Sequence, residues 1–415
     1  MRGWSVDPLS DQIWASRPPT PQHLDSRGSC LSTVRTSLAF PVTALPLIFS
    51  SLIFQFPTRP SPTSESVSKM KVVALWVYPI KGLRGIRLER ADLGPQGIKH
   101  DRNFMLCRVE EGEEPLKLQL SRFPQCALFS QEIVGDSIQV RYNVPEEPLV
   151  PPCPEQAEVL EVPLGPDITQ LRKEEVNLHQ SKVNAYRMGD RYDAWFTACF
   201  GFPTALFYIG DERRPILGTF SPDSEPTPHP KGWFAALSDY MAPGTTTAGE
   251  PNWLTFSDCA PFLITTGASL ANVSARLAAG DMEMAKFRPN IVLDGDKEWD
   301  EDFWTRLTLN GRPAFTLTKM CVRCTSVNVD YDTGRPARGE RGTVLKKLMA
   351  DRRVDRGAKY SPVFGKYAFL DRDVPQDATI TLGDDVQVTR RSEERPVFDW
   401  PIHEKEAARF YSDKV

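Results

Sequence analysis

The sequence predicts a mainly β protein with some α (α+β), built on β-barrel architecture. Three observations carry that expectation. Short runs rich in β-branched and aromatic residues recur along the chain, bounded by Gly and Pro. One run holds an Asn-Gly pair, the strongest short hairpin signal. Helical periodicity is confined to a few short segments.

In chain order, residues 1–69 come first, rich in Ser, Pro and Thr and poor in acids. From residue 36 to 58 there is no charge, and 38–56 is mostly apolar, long enough to cross a bilayer. Pro41 and Pro46 weaken it as a helix, and the flanking Arg27, Arg35, Arg59 and Lys69 set no orientation. It reads either as an anchor or targeting segment, or as an extension ahead of a start at Met70. Residues 72–78 form a strand that stops at Pro79, and Gly82, Gly85, Gly94 and Gly97 punctuate the next stretch. Residues 103–109 and 137–142 read as further strands, the second alternating apolar and polar. A loop is expected at 145–154, a short helix carrying Trp195 and Phe196 at 191–200, and a Pro/Ser-rich loop at 221–229. A helix is expected over 268–279, with Leu270, Val273 and Leu277 on its core face and Gly280 as its stop. Residues 290–293 read as a buried strand, 307–317 as a hairpin turning at Asn310-Gly311, and 380–388 as a second hairpin.

Length and composition bound the function. At 415 residues the chain exceeds one typical domain. A formal charge of -4 gives no reason to expect nucleic-acid binding. The eight cysteines are scattered, and only Cys321 and Cys324 lie close together, so reduced thiols are the default. None of the five histidines pairs at metal-ligand spacing, which leaves a zinc hydrolase little support.

The richest stretch is Cys321-Val322-Arg323-Cys324, followed by Asp330, Asp332 and the turn at Thr333-Gly334. A cation beside a cysteine favours the thiolate, so Cys324 is the leading reactive or metal-ligating residue. Cys321 and Cys324 also read as a redox pair, as half a zinc site, or as one thiolate on a soft metal carried by a cofactor. Lys81-Gly82, Asp101-Arg102-Asn103 and Arg288-Pro289-Asn290 each put a cation at a strand edge near glycine or proline. Together with Arg323 they suit an anion pocket, although each cation alone reads as a surface ion-pair partner. Trp76, Trp195, Trp299 and Trp304 read as packing, and His100 beside Asp101 points to the opposite face of a strand.

The order of these motifs resembles the MOSC-domain molybdenum enzymes, nearest to the mitochondrial amidoxime-reducing component family. The likeness runs from Leu75-Trp76-Val77-Tyr78-Pro79-Ile80-Lys81-Gly82 through Asp101-Arg102-Asn103-Phe104, Gly189-Asp190 and 256–334 to 360–367. It implies an extension over 1–69 and a MOSC N-terminal β-barrel-like domain over 70–190. A helix-and-loop connection would cover 191–254, a MOSC molybdenum cofactor domain 255–395 and a tail 396–415. It implies that Cys324 ligates molybdenum held by molybdopterin, with Asp258 a candidate for proton delivery. Lys81, Gly82, Arg102, Asp258, Cys259, Arg288, Asn290, Val322, Arg323 and Tyr367 would contact the cofactor. Gly82 stands where the family often has serine, and Cys259-Ala260 lacks the relatives' hydroxyl residues. The implied activity is oxygen-atom transfer from N-hydroxylated compounds (amidoximes, hydroxylamines, nitrite). The alternative is a non-catalytic cofactor-binding or sulfur-carrier protein. Pyridoxal phosphate binding comes with the family as a further expectation. No cysteine follows Cys324, so no fused iron–sulfur module is expected there, and a separate donor such as cytochrome b5 with its reductase is implied. The implied location is the mitochondrial outer membrane or the cytoplasm, with membrane association through 36–58.

Overall fold

The structure, a computed structural model, describes residues 69–224, 251–278 and 280–401, all within one compact unit spanning 62–415. The apolar segment 36–58 and part of the 221–229 loop lie outside the described residues. Seven strands close a barrel: β1 (Lys69–Val77), β2 (Phe262–Thr266), β3 (Ile291–Leu293), β4 (Trp304–Leu309), β5 (Arg312–Val322), β6 (Val363–Leu370) and β7 (Asp385–Arg391). The order is β3-β2-β6-β5-β4-β7-β1, and β1 pairs back onto β3. Neighbours are antiparallel except β2 and β3. A parallel pair needs a crossover, and the helix Gly267–Ala275 supplies it.

The barrel core shows how register follows pattern. In β1, Met70 and Val72 face inward, and so do Leu75 and Val77, although the spacing slips by one. A register shift between Val72 and Ala74 absorbs the extra residue and keeps both pairs inside. Phe262, Trp304, Phe315 and Leu317 complete this core. The Asn-Gly hairpin forms as expected between β4 and β5, with Asn310 and Gly311 at φ 50° and 80°.

Two expectations change. Residues 380–388 are no hairpin: Thr379–Thr381 pairs with Arg90–Gly94, while β7 pairs with β1 and β4. The chain between them bonds elsewhere, Leu382 N–H to Glu89 O and Gly383 N–H to Val72 O, so it turns a corner between two sheets. The crossover helix, capped by Thr266, stops at Ala275 rather than 279. Three-residue turns from Val273, Ser274 and Leu277 tighten the end ahead of Gly280.

Beyond β1 the chain passes directly into a second sheet, ordered Lys173–Leu178, Ser181–Arg187, Thr204–Tyr208, Phe104–Arg108, Ile80–Lys81. A three-stranded sheet (Phe129–Val134, Ser137–Tyr142, Leu160–Pro163) and the helix Asp190–Phe200 share its core. Trp195, Phe196 and Phe200 pack on Phe129, with ring centroids 5.9, 5.8 and 4.6 Å away. Among the described residues no helix is long and apolar enough to cross a membrane.

Candidate active site

Lys81, Gly82, Arg102, Asp258, Cys259, Arg288, Asn290, Val322, Arg323, Cys324 and Tyr367 all border one cavity of about 170 Å³. They reach it from strand ends and the loops that leave them. Ile80–Lys81 continues the path of β1, Arg288 and Asn290 precede β3, and Cys324 follows β5.

Cys324 opens the one-turn helix Thr325–Asn328 and is half-buried, with Sγ 3.2 Å from Ser326 Oγ. Cys321 is buried and donates to Tyr367 Oη at 3.2 Å, and burial pushes its thiol upward. Burial, reinforced by Asp258, pushes Cys259 well up. A thiol held protonated is a poor redox partner, which disfavours the disulfide reading of Cys321 and Cys324.

Arg323 has a structural role besides its place on the wall. Its Nε and Nη2 donate to Phe364 O at 3.0 and 2.6 Å, and Nη1 donates to Phe287 O at 2.7 Å. This guanidinium fastens two backbone segments while it borders the cavity.

Arg102 and Arg288 both adopt left-handed backbone, φ 54° and 53°. Arg102 is paired with the buried Asp101 and donates to Asn290 Oδ1 at 3.2 Å and to Arg288 O at 3.3 Å. Arg288 donates to Leu83 O at 2.7 Å. The two guanidinium carbons lie 4.6 and 4.3 Å from the centre of the Tyr78 ring. Asn290 proves to be a junction: Oδ1 accepts from Leu263 N–H at 3.2 Å as well as from Arg102, and Nδ2 donates to Trp76 O at 3.3 Å. Gly82 sits at φ 92°, where an added Cβ would lie 3.3 Å from Leu118 O, so a serine here would be strained.

Asp258 accepts from Lys81 Nζ at 2.5 Å and lies 3.4 Å from His179 Nε2. Burial lowers the Lys81 ammonium to about 8, partly offset by the Asp258 charge. Burial opposes ionisation of Asp258, yet Lys81 and His179 hold its carboxyl well below the usual range. Sequence reasoning missed three residues here. His179 sits in a tight turn with no Asn-Gly signal. Arg214, fully buried, fastens the loop ahead of Cys259 by donating to the carbonyls of Thr255, Ser257 and Asp258. Lys286 is a further buried cation on the cavity wall.

The wall suits an anionic group carrying a soft metal. Ser257 Oγ is buried beside the cavity and completes no hydrogen bond within the protein, and the Arg288 guanidinium borders the cavity with the Tyr331 phenol as a side-chain partner. Among the described residues no three His, Cys, Asp or Glu side chains could by themselves hold a metal ion. A metal seated here would bring other ligands with it and take Cys324 as its protein thiolate.

Family comparisons agree with this geometry. Residues 69–203 match the MOSC N-terminal beta barrel domain and 251–387 the MOSC domain. Mitochondrial amidoxime-reducing component 1 of Homo sapiens is 27% identical over 340 residues, 80% of this chain and 86% of the relative. The Mus musculus protein of the same name is 26% identical over 322 residues, 76% of this chain and 81% of that one. Molybdenum cofactor sulfurase of Oryza sativa subsp. japonica is 21% identical over 281 residues, 66% of this chain and 30% of the relative. None of these names refers to pyridoxal phosphate. Two matched domains, a closed barrel and a continuous likeness over most of the length make this chain a member of the MOSC-domain proteins, similar to the mitochondrial amidoxime-reducing components.

Proposed function

We propose that this chain is a molybdenum-cofactor-dependent oxidoreductase that reduces N-hydroxylated compounds such as amidoximes and hydroxylamines. The carrying observation is Cys324, a half-buried thiol on a cavity whose wall supplies Lys81, Arg102, Lys286 and Arg288. When bound, the molybdopterin-held metal supplies the two-electron oxygen-acceptor chemistry. The chain's residues do the rest. The Arg288 guanidinium and Ser257 Oγ face an anionic group, Cys324 offers a thiolate, and the Lys81–Asp258 pair holds a proton donor and a carboxylate at the wall. Similarity to proteins named amidoxime-reducing components over most of both lengths supports this reading above others.

Electrons would come from a separate protein donor, for which cytochrome b5 with its reductase is the expectation. The names of the same relatives favour a mitochondrial location. A second reading, cofactor binding or sulfur carriage without turnover, draws on the likeness to the sulfurases of rice and Arabidopsis thaliana. One experiment separates the two. The full chain is purified, molybdenum and pterin are measured per chain, and benzamidoxime reduction is followed with a chemical electron donor. Bound cofactor with turnover supports the reductase. Bound cofactor without turnover supports the carrier, and absence of both rejects the cofactor assignment.

A further inference from the structure

Positive charge gathers just past Cys324. Between residues 335 and 359 the chain holds nine Lys and Arg against three acids, although the whole chain carries a formal charge of -4. The three acids do not cancel the excess. Glu340 pairs with Lys347 at 2.9 Å, Asp351 pairs with Arg276 at 2.6 Å, and Asp355 is buried. Arg335, Arg338, Arg341, Lys346 and Arg353 are exposed and make no ion pair among the described residues. Like charges left together in water attract a partner of opposite sign and steer its approach.

The fold fastens this segment to the Cys324 turn. Arg335–Pro336 pairs with Val329–Asp330. Ala337 N–H donates to Asn328 O at 2.7 Å, and Leu345 N–H donates to Asn328 Oδ1 at 3.0 Å. Asn328 ends the one-turn helix that Cys324 opens. On the helix Val344–Met349, Val344, Leu345 and Leu348 bury into the same apolar cluster as Val327 of that turn. The cations of the segment are thereby left on its outer side.

A cavity of about 170 Å³ admits no protein, so a protein donor has to pass electrons through its wall. At Cys324 that wall is thin. Cys324 and Ser326 border the cavity, while Thr325, Ser326 and Asn328 are partly exposed. A donor held on the cations beyond Asn328 stands a few residues of chain from the sulfur.

We propose that the surface around Arg338, Arg341 and Lys346 docks a small one-electron transfer protein through an acidic face, beside the Cys324 turn. This rests on the reductase reading and adds the partner surface to it. Two donor molecules each give up one electron. R–NHOH takes both, with two protons from solvent; the N–O bond breaks and R–NH2 and H2O leave.

The test uses the full-length, molybdenum-loaded chain with a hydroxylamine substrate. Electrons come either from cytochrome b5 with its reductase or from reduced methyl viologen. The triple variant Arg338→Glu, Arg341→Glu, Lys346→Glu reverses three exposed charges, and its urea midpoint checks folding. Its rate with cytochrome b5, relative to its rate with viologen, should fall about tenfold or more at low salt. Raising salt from about 0.02 to 0.3 M should slow the wild-type reaction with cytochrome b5 and barely change that of the variant. Calorimetry of cytochrome b5 with the cofactor-free chain reads docking without turnover, and charge reversal should weaken it by a similar factor. Donor rates and binding that ignore both salt and charge reversal overturn the docking surface and leave the reductase reading intact. Phosphatidylserine vesicles are the second probe. Vesicle binding that the variant loses, with cytochrome b5 affinity unchanged, assigns the patch to a membrane and overturns the proposal. A loaded wild type that turns over with neither donor fails the reductase reading, and calorimetry then decides the docking surface alone.

Discussion

The guanidinium of Arg323 forks onto the carbonyl oxygen of Phe364, Nε at 3.0 Å and Nη2 at 2.6 Å. With Nη1 on Phe287 O at 2.7 Å, it joins the end of β5 to β6 and to the segment before Arg288. Removing it leaves buried carbonyls unmet, at about 1.5–3 kcal/mol for each bond to a charged group. Arg323→Ala should therefore lower stability by about 3 kcal/mol in urea denaturation. Arg323→Lys should recover only part, because one ammonium cannot reproduce a planar fork. A denaturation midpoint for Arg323→Ala equal to wild type would show that the guanidinium does no structural work.

Glu301 makes the fold sensitive to pH. It is fully buried, Oε2 accepts from Ser269 Oγ at 2.9 Å, and Oε1 finds no partner. Burial raises its carboxyl from 4.5 to about 7. The folded state thus binds more protons than the unfolded state between those values. Its contribution to stability is full below about 4.5 and is lost as pH rises through about 7. At about 1.4 kcal/mol per pH unit the swing is on the order of 3 kcal/mol. Glu301→Gln should flatten urea stability across that window. An unchanged slope in the variant would assign the dependence to other groups.

Much of the site was legible because its residues flank strands whose register pattern fixes. Lys81 follows the β1 run past Pro79, and Cys324 follows the longest strand, Arg312–Val322. What stayed hidden depends on long-range pairing. His179 meets Asp258 across 79 positions of chain (258 minus 179), and nothing in its local sequence announces a cavity. The backbone bonds of Arg323 stayed hidden for a related reason: sequence shows the neighbour on the chain, Cys324, but not Phe364, which β-pairing brings alongside. The false hairpin at 380–388 shares that cause, since both of its strands find better partners elsewhere.

Arg288 separates cofactor binding from folding. Its side chain donates to Leu83 O at 2.7 Å and meets the Tyr331 phenol, which leaves the guanidinium on the cavity wall without a carboxylate partner among the described residues. Its left-handed backbone, φ 53° directly before Pro289, is strained for any residue with a Cβ. Arg288→Gly should relieve about 1 kcal/mol of that strain relative to Arg288→Ala. Both variants should nevertheless lose most bound pterin and molybdenum, measured per chain by fluorescence and mass spectrometry. Full loading in either would remove Arg288 from the anion site.

The two neighbouring thiols should differ sharply in reactivity. Cys321 is 4% exposed, is hydrogen-bonded to Tyr367, and is held protonated by burial. Cys324 is half-buried on the cavity, 3.2 Å from the Ser326 hydroxyl. Reaction with an alkylating agent needs both access and thiolate character. Brief iodoacetamide treatment of folded, cofactor-free protein should therefore label Cys324 well ahead of Cys321, read by peptide mass spectrometry. Loading the protein with molybdenum and pterin should then protect Cys324, because a sulfur bonded to metal is no longer a free nucleophile. Cys153, also half-buried but away from the cavity lining, serves as the internal control whose labelling should not change on loading. Equal labelling of Cys324 in loaded and cofactor-free protein would break the assignment of that sulfur to the metal, whatever the activity measured.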